Sequence, residues 1–161
     1  MKRSNGMVAL GVGLGLLALL PGCLDEDVVR PTPLPIERLT PAGGASFSGL
    51  TDSLRVVVGD AATFAQWWTA AWPEEPLPDV DFGSHTVIVA AMGERSSSGF
   101  SIRVDEVLSE GYGLRVLVRT EVPGTSCSVA TVMTQPTDFV SVAVRGKPVR
   151  FVEEREVTDC D

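Results

Sequence analysis

Residues 100–119 read FSIRVDEVLSEGYGLRVLVR, and apolar and polar side chains alternate in both halves of this stretch. A period of two residues is typical of a strand with one buried face. Between the halves, Glu110-Gly111-Tyr112-Gly113 has the composition of a hairpin turn. The stretch therefore predicts two antiparallel strands whose shared apolar face is formed by Phe100, Ile102, Val104, Leu114, Val116 and Val118.

The segments on either side of this hairpin are also strand-like. His85–Met92 (HTVIVAAM) is an apolar run, as expected of a central strand covered on both faces. Further strands are predicted over 53–58, 127–134, 138–144 and 149–153.

One helix is predicted between the first two strands, with Asp60 as its N-cap and Pro73 ending it. Its apolar residues recur at helical spacing and are Phe64, Trp67, Trp68, Ala71 and Trp72. The tryptophans could form a sugar-stacking platform, but packing against the sheet is favoured because a small domain needs a large apolar anchor. The predicted fold is mainly β: an antiparallel sheet or β-sandwich-like domain with one amphipathic helix (α+β).

The N-terminus predicts export. Lys2 and Arg3 precede an uncharged run over 7–20 that is shorter than the roughly 20 residues of a membrane-spanning helix. Leu20-Pro21-Gly22-Cys23 resembles the lipobox of bacterial lipoproteins, although Pro21 is unusual there; an ordinary signal peptide is the alternative. The resemblance implies acyl chains on Cys23, and Leu24 after it favours the outer membrane of a bacterial cell envelope.

Cleavage before Cys23 would remove two of the 13 basic residues and none of the 21 acidic ones, changing the net charge from −8 to −10. Such a chain has no basic patch for nucleic acid and would be held to a membrane by its acyl chains. Residues 23–45 contain four closely spaced prolines and predict a polyproline-like tether. We therefore divide the chain into a signal peptide (1–22), a lipidated cysteine with its tether (23–45) and a globular domain (46–161).

The residues of this chain do not assemble a recognisable catalytic or metal-binding motif. His85 is the only histidine and is expected to be hydrogen-bonded at a strand edge. A zinc site needs several Cys and His ligands. Asp79-Val80-Asp81 lacks the spacing of an EF-hand. The sequence therefore predicts a non-enzymatic binding or assembly module without a metal or cofactor; an enzyme of unrecognised type is the remaining alternative.

From residue 81 to 152 the chain resembles the PrcB C-terminal domain family, whose named member is a lipoprotein subunit of a bacterial surface protease complex. The resemblance consists of an ordered set of features rather than one specific motif. They are Asp81-Phe82, the apolar strand over 87–92, Gly93-Glu94-Arg95, Gly99-Phe100, Pro123-Gly124 and Thr134-Gln135-Pro136.

The resemblance implies a non-catalytic protein that binds another protein and assists the assembly or maturation of a surface protease. The loops over 94–100 and 123–136 are the expected binding surface. The candidate contact residues are Ser96, Ser97, Ser98, Gly99, Phe100, Thr134, Gln135 and Pro136. Strand alternation favours a core position for Phe100. Ordinary turn and edge-strand chemistry is the alternative for Gly99 and Pro136. In style the loops are also similar to those of chagasin-like protease inhibitors, which gives the alternative function.

If Cys23 is acylated, Cys127 and Cys160 remain, an even number in an exported protein. Disulfides persist in that compartment. A bridge would also tie down a polar C-terminal tail that little apolar burial could hold. We therefore predict a disulfide between Cys127 and Cys160, with two free buried thiols as the alternative.

Overall fold

The computed structural model describes residues 30–160, which contain eight strands and one α-helix. The strands are β1 (Thr32–Leu34), β2 (Ile36–Arg38), β3 (Ser53–Val58), β4 (Thr86–Met92), β5 (Ser101–Glu110), β6 (Gly113–Pro123), β7 (Thr137–Val142) and β8 (Val149–Thr158). The helix, α1 (Ala61–Ala71), lies between β3 and β4 in the sequence. Within these residues no helix is long and apolar enough to cross a membrane.

The strands form two four-stranded sheets that pack face to face. The first sheet has the order β1-β5-β6-β8 and the second the order β2-β7-β4-β3. The sequence predictions of a mainly β fold with one helix, and of a hairpin at 110–113 joining β5 to β6, are confirmed.

β4 is buried along its whole length because it has a layer on each face. Ile88 and Ala90 belong to a core shared with the first sheet, whereas Val87 and Val89 belong to a second core beneath α1. This arrangement makes three layers, namely the helix, the second sheet and the first sheet, and explains the unbroken apolar run of this strand.

The aromatic face of α1 packs into the second core. Phe64 and Trp68 are buried, and so is Trp72, which follows the helix as its C-cap. The Trp68 and Phe139 rings meet edge to face with their centroids 5.7 Å apart. Trp68 and Trp72 are therefore core residues, and Trp67 is half-buried against the same core, as expected for packing rather than for a ligand platform.

Two features of the topology differ from the sequence expectations. β8 pairs with β6 in parallel over ten residues, and the chain reaches it by crossing through β7 in the other sheet. Residues 127–134, expected to form a strand, are a loop with a single bridge between Thr134 and Arg95. Its backbone bonds instead to Arg95 and Ser98 in the loop between β4 and β5.

Residues 32–38 lie in the proline-rich segment interpreted as a tether, yet they contribute a strand to each sheet. β1 pairs with β5 and β2 pairs with β7, and Pro35 separates them where the chain passes between sheets. Both are edge strands. Proline is tolerated in an edge strand because a position that faces solvent does not need an N–H to pair with a neighbouring strand. The predicted signal peptide, Cys23 and Leu24 lie outside the described residues.

Candidate functional site

The two loops singled out by the sequence lie side by side at one end of the sandwich. We call residues 93–100 the first loop and residues 124–136 the second loop, and together they form the loop surface. Arg95 and Thr134 exchange backbone hydrogen bonds of 2.8 and 2.9 Å. Further along, the Ser98 N–H donates to the Ala130 carbonyl and the Ser98 hydroxyl accepts from the Ala130 N–H, both at 3.0 Å. The loops are therefore coupled along most of the first one.

Gly99 allows the loops to approach closely. Its φ of +88° lies in the left-handed region that favours glycine. A Cβ at this position would lie 3.1 Å from the Cβ of Pro123 and 3.4 Å from a methyl carbon of Val129. The glycine that the sequence singled out is thus required by backbone conformation and by packing.

The second loop is also tied to the C-terminus. Cys127 and Cys160 form a disulfide, with their Cα atoms 4.8 Å apart. The Ser126 hydroxyl donates to the Cys160 carbonyl at 2.9 Å, and the Gly124 N–H donates to the Thr158 carbonyl at 2.8 Å. The end of β8 therefore supports the loop that follows β6.

The predicted contact residues differ in their exposure. Ser96 and Gly99 are exposed, and Ser97, Ser98 and Gln135 are half-buried. Phe100 is half-buried, packs against the core between the sheets and lies 5.8 Å below the Arg95 guanidinium.

Thr134 and Pro136 are buried and lie beneath the loop surface rather than on it. The Thr134 hydroxyl donates to the Ser97 carbonyl at 3.0 Å, and the Pro136 carbonyl accepts from the Met92 N–H at 2.9 Å. In this conformation these two residues position the loops and cannot offer their side chains to a partner.

Three exposed apolar side chains on the second loop were missed from the sequence. Val129, Val132 and Met133 are 38%, 39% and 47% exposed. In the sequence they belong to SVATVM (128–133), which lies in the segment predicted to be a strand. That prediction implied that about half of its side chains would be buried. Because the segment is a loop, these side chains are exposed to solvent, and Val129 lies beside Gly99.

His85 belongs to a turn at the start of β4. The Ser84 hydroxyl donates to Asp81 at 2.7 Å and lies 2.7 Å from His85 Nδ1. The Ser84 hydroxyl therefore contacts both Asp81 and His85 within one turn. Hydrogen bonds from Ser84 and from the Gly83 N–H lower the pKa of Asp81 below its usual value. The expected strand-edge histidine is confirmed.

A cavity of about 660 Å³ opens beside the first sheet and is lined by paired charges. Asp105 pairs with Arg103 and Arg119, and Asp138 pairs with Arg38. The hydrogen bond and charge of Asp105 raise the pKa of Arg119 above its usual value. Among residues 30–160, no group of three His, Cys, Asp or Glu side chains is arranged to hold a metal ion.

Residues 86–143 match the family model described as PrcB C-terminal. The match confirms the resemblance seen in the sequence and runs from the start of β4 to just beyond the end of β7, so it includes both loops. No curated protein and no solved structure matches the chain significantly.

Proposed function

We propose, from the match of residues 86–143 to the PrcB C-terminal family, that this protein is a non-catalytic subunit that binds a protease at the cell surface. In this proposal it assists the assembly or maturation of the protease, and the loop surface is the contact. The protein is exported and held at the outer membrane of a bacterial envelope by acyl chains on Cys23.

The observation that carries this proposal is the construction of the loop surface. The two loops are bonded to each other and to the C-terminus, so the surface is ordered before a partner arrives. Pre-organisation reduces the entropy lost on binding. Exposed apolar side chains that are held in place, such as Val132 and Met133, are suited to burial against another protein.

The partner test compares two apolar-to-acidic substitutions. Met133→Asp places a charge on the loop surface, and Leu77→Asp places one at a similarly exposed leucine, 50% against 47% exposed. Leu77 lies in the segment that leads into the opposite end of β4. We expect a protease to co-purify stoichiometrically with the wild type and with Leu77→Asp from detergent-solubilised membranes, and to be lost with Met133→Asp. Equal recovery with all three proteins would contradict the proposed surface.

Assay of the co-purified protease separates assembly from the alternative, inhibition. If the subunit assists maturation, the co-purified protease should be active. Deletion of the subunit should then lower the abundance of the protease. A chagasin-like inhibitor should abolish proteolysis at equimolar ratio. The coupling of the two loops by hydrogen bonds favours assembly, because an inhibitor of that type inserts flexible segments into a cleft.

The anchor is tested by Cys23→Ser. We expect the wild type to partition into detergent and to resist washing with high salt, because a cleaved chain of net charge −10 has no electrostatic attraction to an anionic membrane. The variant should be recovered in the soluble fraction or as uncleaved precursor. A wild-type protein found wholly in the soluble fraction after export would exclude the anchor.

A further inference from the structure

A cleft with a basic lining opens where the edges of the two sheets meet. β3 is an edge of the second sheet and β8 an edge of the first, and the cavity between them measures about 440 Å³. Arg55 contributes from β3, Arg155 from β8 and Arg95 from the first loop. No acidic residue lines the cleft.

The three arginines differ in how fully they are neutralised. Arg55 makes a bidentate pair with Glu153, with both distances 2.8 Å. Within the described residues the Arg95 guanidinium donates only to the backbone carbonyls of Met92 and Glu94. Arg155 forms no ion pair within residues 30–160. The cleft is therefore a local region of positive charge in a protein whose net charge is −8.

The remaining lining suits a peptide better than a free ion. Phe100, Met92 and Val122 provide apolar surface beside the arginines, and Ser53 and Thr120 provide hydroxyl groups. A guanidinium presents parallel N–H donors that match the two oxygens of a carboxylate. Arginine over an aromatic ring, as Arg95 lies over Phe100, is held in place by the ring.

The cleft is continuous with the loop surface. Arg95 lines the cleft and also bridges to Thr134 in the second loop. Val122 lines the cleft and precedes Pro123, against which Gly99 packs. A partner seated on Val132 and Met133 could therefore extend a segment of its chain between β3 and β8.

We propose that this cleft binds an acidic peptide segment of the protein partner, with a carboxylate seated between Arg95 and Arg155. The inference rests on the proposed function for the identity of the partner, but the peptide chemistry can be tested without the protease. The carboxylate can come from an aspartate or glutamate side chain or from the C-terminus of the partner.

The test measures fluorescence anisotropy of labelled peptides with the full-length protein in a non-ionic detergent. The probes are a Leu-Asp-Leu-Asp-Leu peptide with an amidated C-terminus, its Leu-Asn-Leu-Asn-Leu counterpart, and that counterpart with a free C-terminus. The variants are Arg155→Gln alone and with Arg95→Gln, and the matched control is Arg145→Gln. Arg145 is exposed and lies outside the cleft. The single variant keeps the test valid if loss of the Arg95 contacts disturbs the loop.

We expect the aspartate peptide to bind the wild type and Arg145→Gln equally, and Arg155→Gln to weaken binding about tenfold, with a further loss in the double variant. Affinity should fall when salt is raised from about 50 to about 500 mM, because the cleft is open to solvent. If only the amidated aspartate peptide binds, the cleft recognises acidic side chains. Binding that requires the free C-terminus assigns it to a terminal carboxylate.

Equal affinity of wild type and double variant, or no binding of any carboxylate peptide, would overturn the inference. So would binding of phosphatidylglycerol vesicles that depends on Arg155 when no peptide binds, because the cleft would then recognise lipid. If the peptides fail while Met133→Asp still loses the protease, the proposed function stands without this site. If the peptides bind and no protease co-purifies, the site stands without that function.

Discussion

Asp138 is a buried carboxylate of β7 that connects strands of both sheets. It is 2% exposed, pairs with Arg38, and accepts hydrogen bonds from the Thr40 hydroxyl at 2.9 Å and the Val104 N–H at 2.8 Å. Val104 lies where the register of β5 against β6 shifts. The residue skipped by this shift is Asp105, and the Asp138 carboxylate gives the neighbouring Val104 N–H its acceptor.

Asp138→Ala should lower the free energy of unfolding by about 3 kcal/mol, because it leaves a buried N–H and a partly buried guanidinium without their acceptor. Asp105→Ala is the control, since it removes the partly exposed ion pairs with Arg103 and Arg119 and should cost less than about 1 kcal/mol. Urea unfolding of the two variants measures both values. An equal loss of unfolding free energy in the two variants would contradict the larger contribution expected from the buried Asp138.

Gly99 and Gly111 both have positive φ, +88° and +54°, but only at Gly99 would an added Cβ have neighbours within 4 Å. Gly111→Ala should cost the left-handed backbone energy, about 1 kcal/mol. Gly99→Ala should cost about 2–3 kcal/mol, because contacts with Pro123 and Val129 add to the strain. Thermal unfolding ranks the two, and a smaller loss for Gly99→Ala would contradict the close packing of the loops.

At the scale of the element, α1 shows how a helix is defined by local signals. Asp60 accepts hydrogen bonds from the N–H and the hydroxyl of Thr63, both at 2.9 Å. Trp72 ends the helix immediately before Pro73. The cap, the aromatic spacing and the end are all properties of neighbouring residues, so all were predicted from the sequence.

The cap predicts a pH dependence. The hydrogen bonds from Thr63, the backbone one first, lower the pKa of Asp60 below its usual 3.8. Its contribution to stability is therefore complete above the unfolded pKa and is lost as the pH falls through the lowered folded pKa. Asp60→Asn keeps an oxygen acceptor that does not titrate. The difference in unfolding free energy between wild type and variant should be constant above about pH 5. Below that pH the wild type should lose stability relative to the variant. A wild-type carboxyl that titrates at or above 3.8 by NMR would contradict the cap.

The strands of the first sheet illustrate the limit of local signals. Alternation over 100–107 and 114–119 identified β5 and β6, and β5 buries Ile102 and Val104 as expected. The same reasoning failed over 127–134. Apolar alternation indicates a tendency to pair, and whether a strand forms depends on a free edge elsewhere in the fold.

At the scale of the whole molecule, the Cys127–Cys160 disulfide joins the loop surface to the end of β8. It closes a segment with a sequence separation of 33 residues. Confining the unfolded chain to such a loop should stabilise the domain by about 3–4 kcal/mol. Reduction should raise the intact mass by about 2 Da, for two hydrogens, and lower the melting temperature. Reaction of both cysteines with iodoacetamide in the native, unreduced protein would show that the bridge is absent.

The residues of this chain determine its local structure through interactions that are close in sequence: α1, its cap, the apolar run of β4, the hairpin and the position of Gly99 follow from periodicity and turn chemistry. The pairing of distant segments was decided only in the tertiary structure. The proline-rich residues 32–38 form edge strands because each sheet has an edge with which they can pair. β8 pairs in parallel with β6 because the chain passes through the opposite sheet between these two strands. The same packing buried Thr134 and Pro136 and exposed Val132 and Met133. Burial depends on which surfaces meet, and that is a property of the assembled layers rather than of any segment.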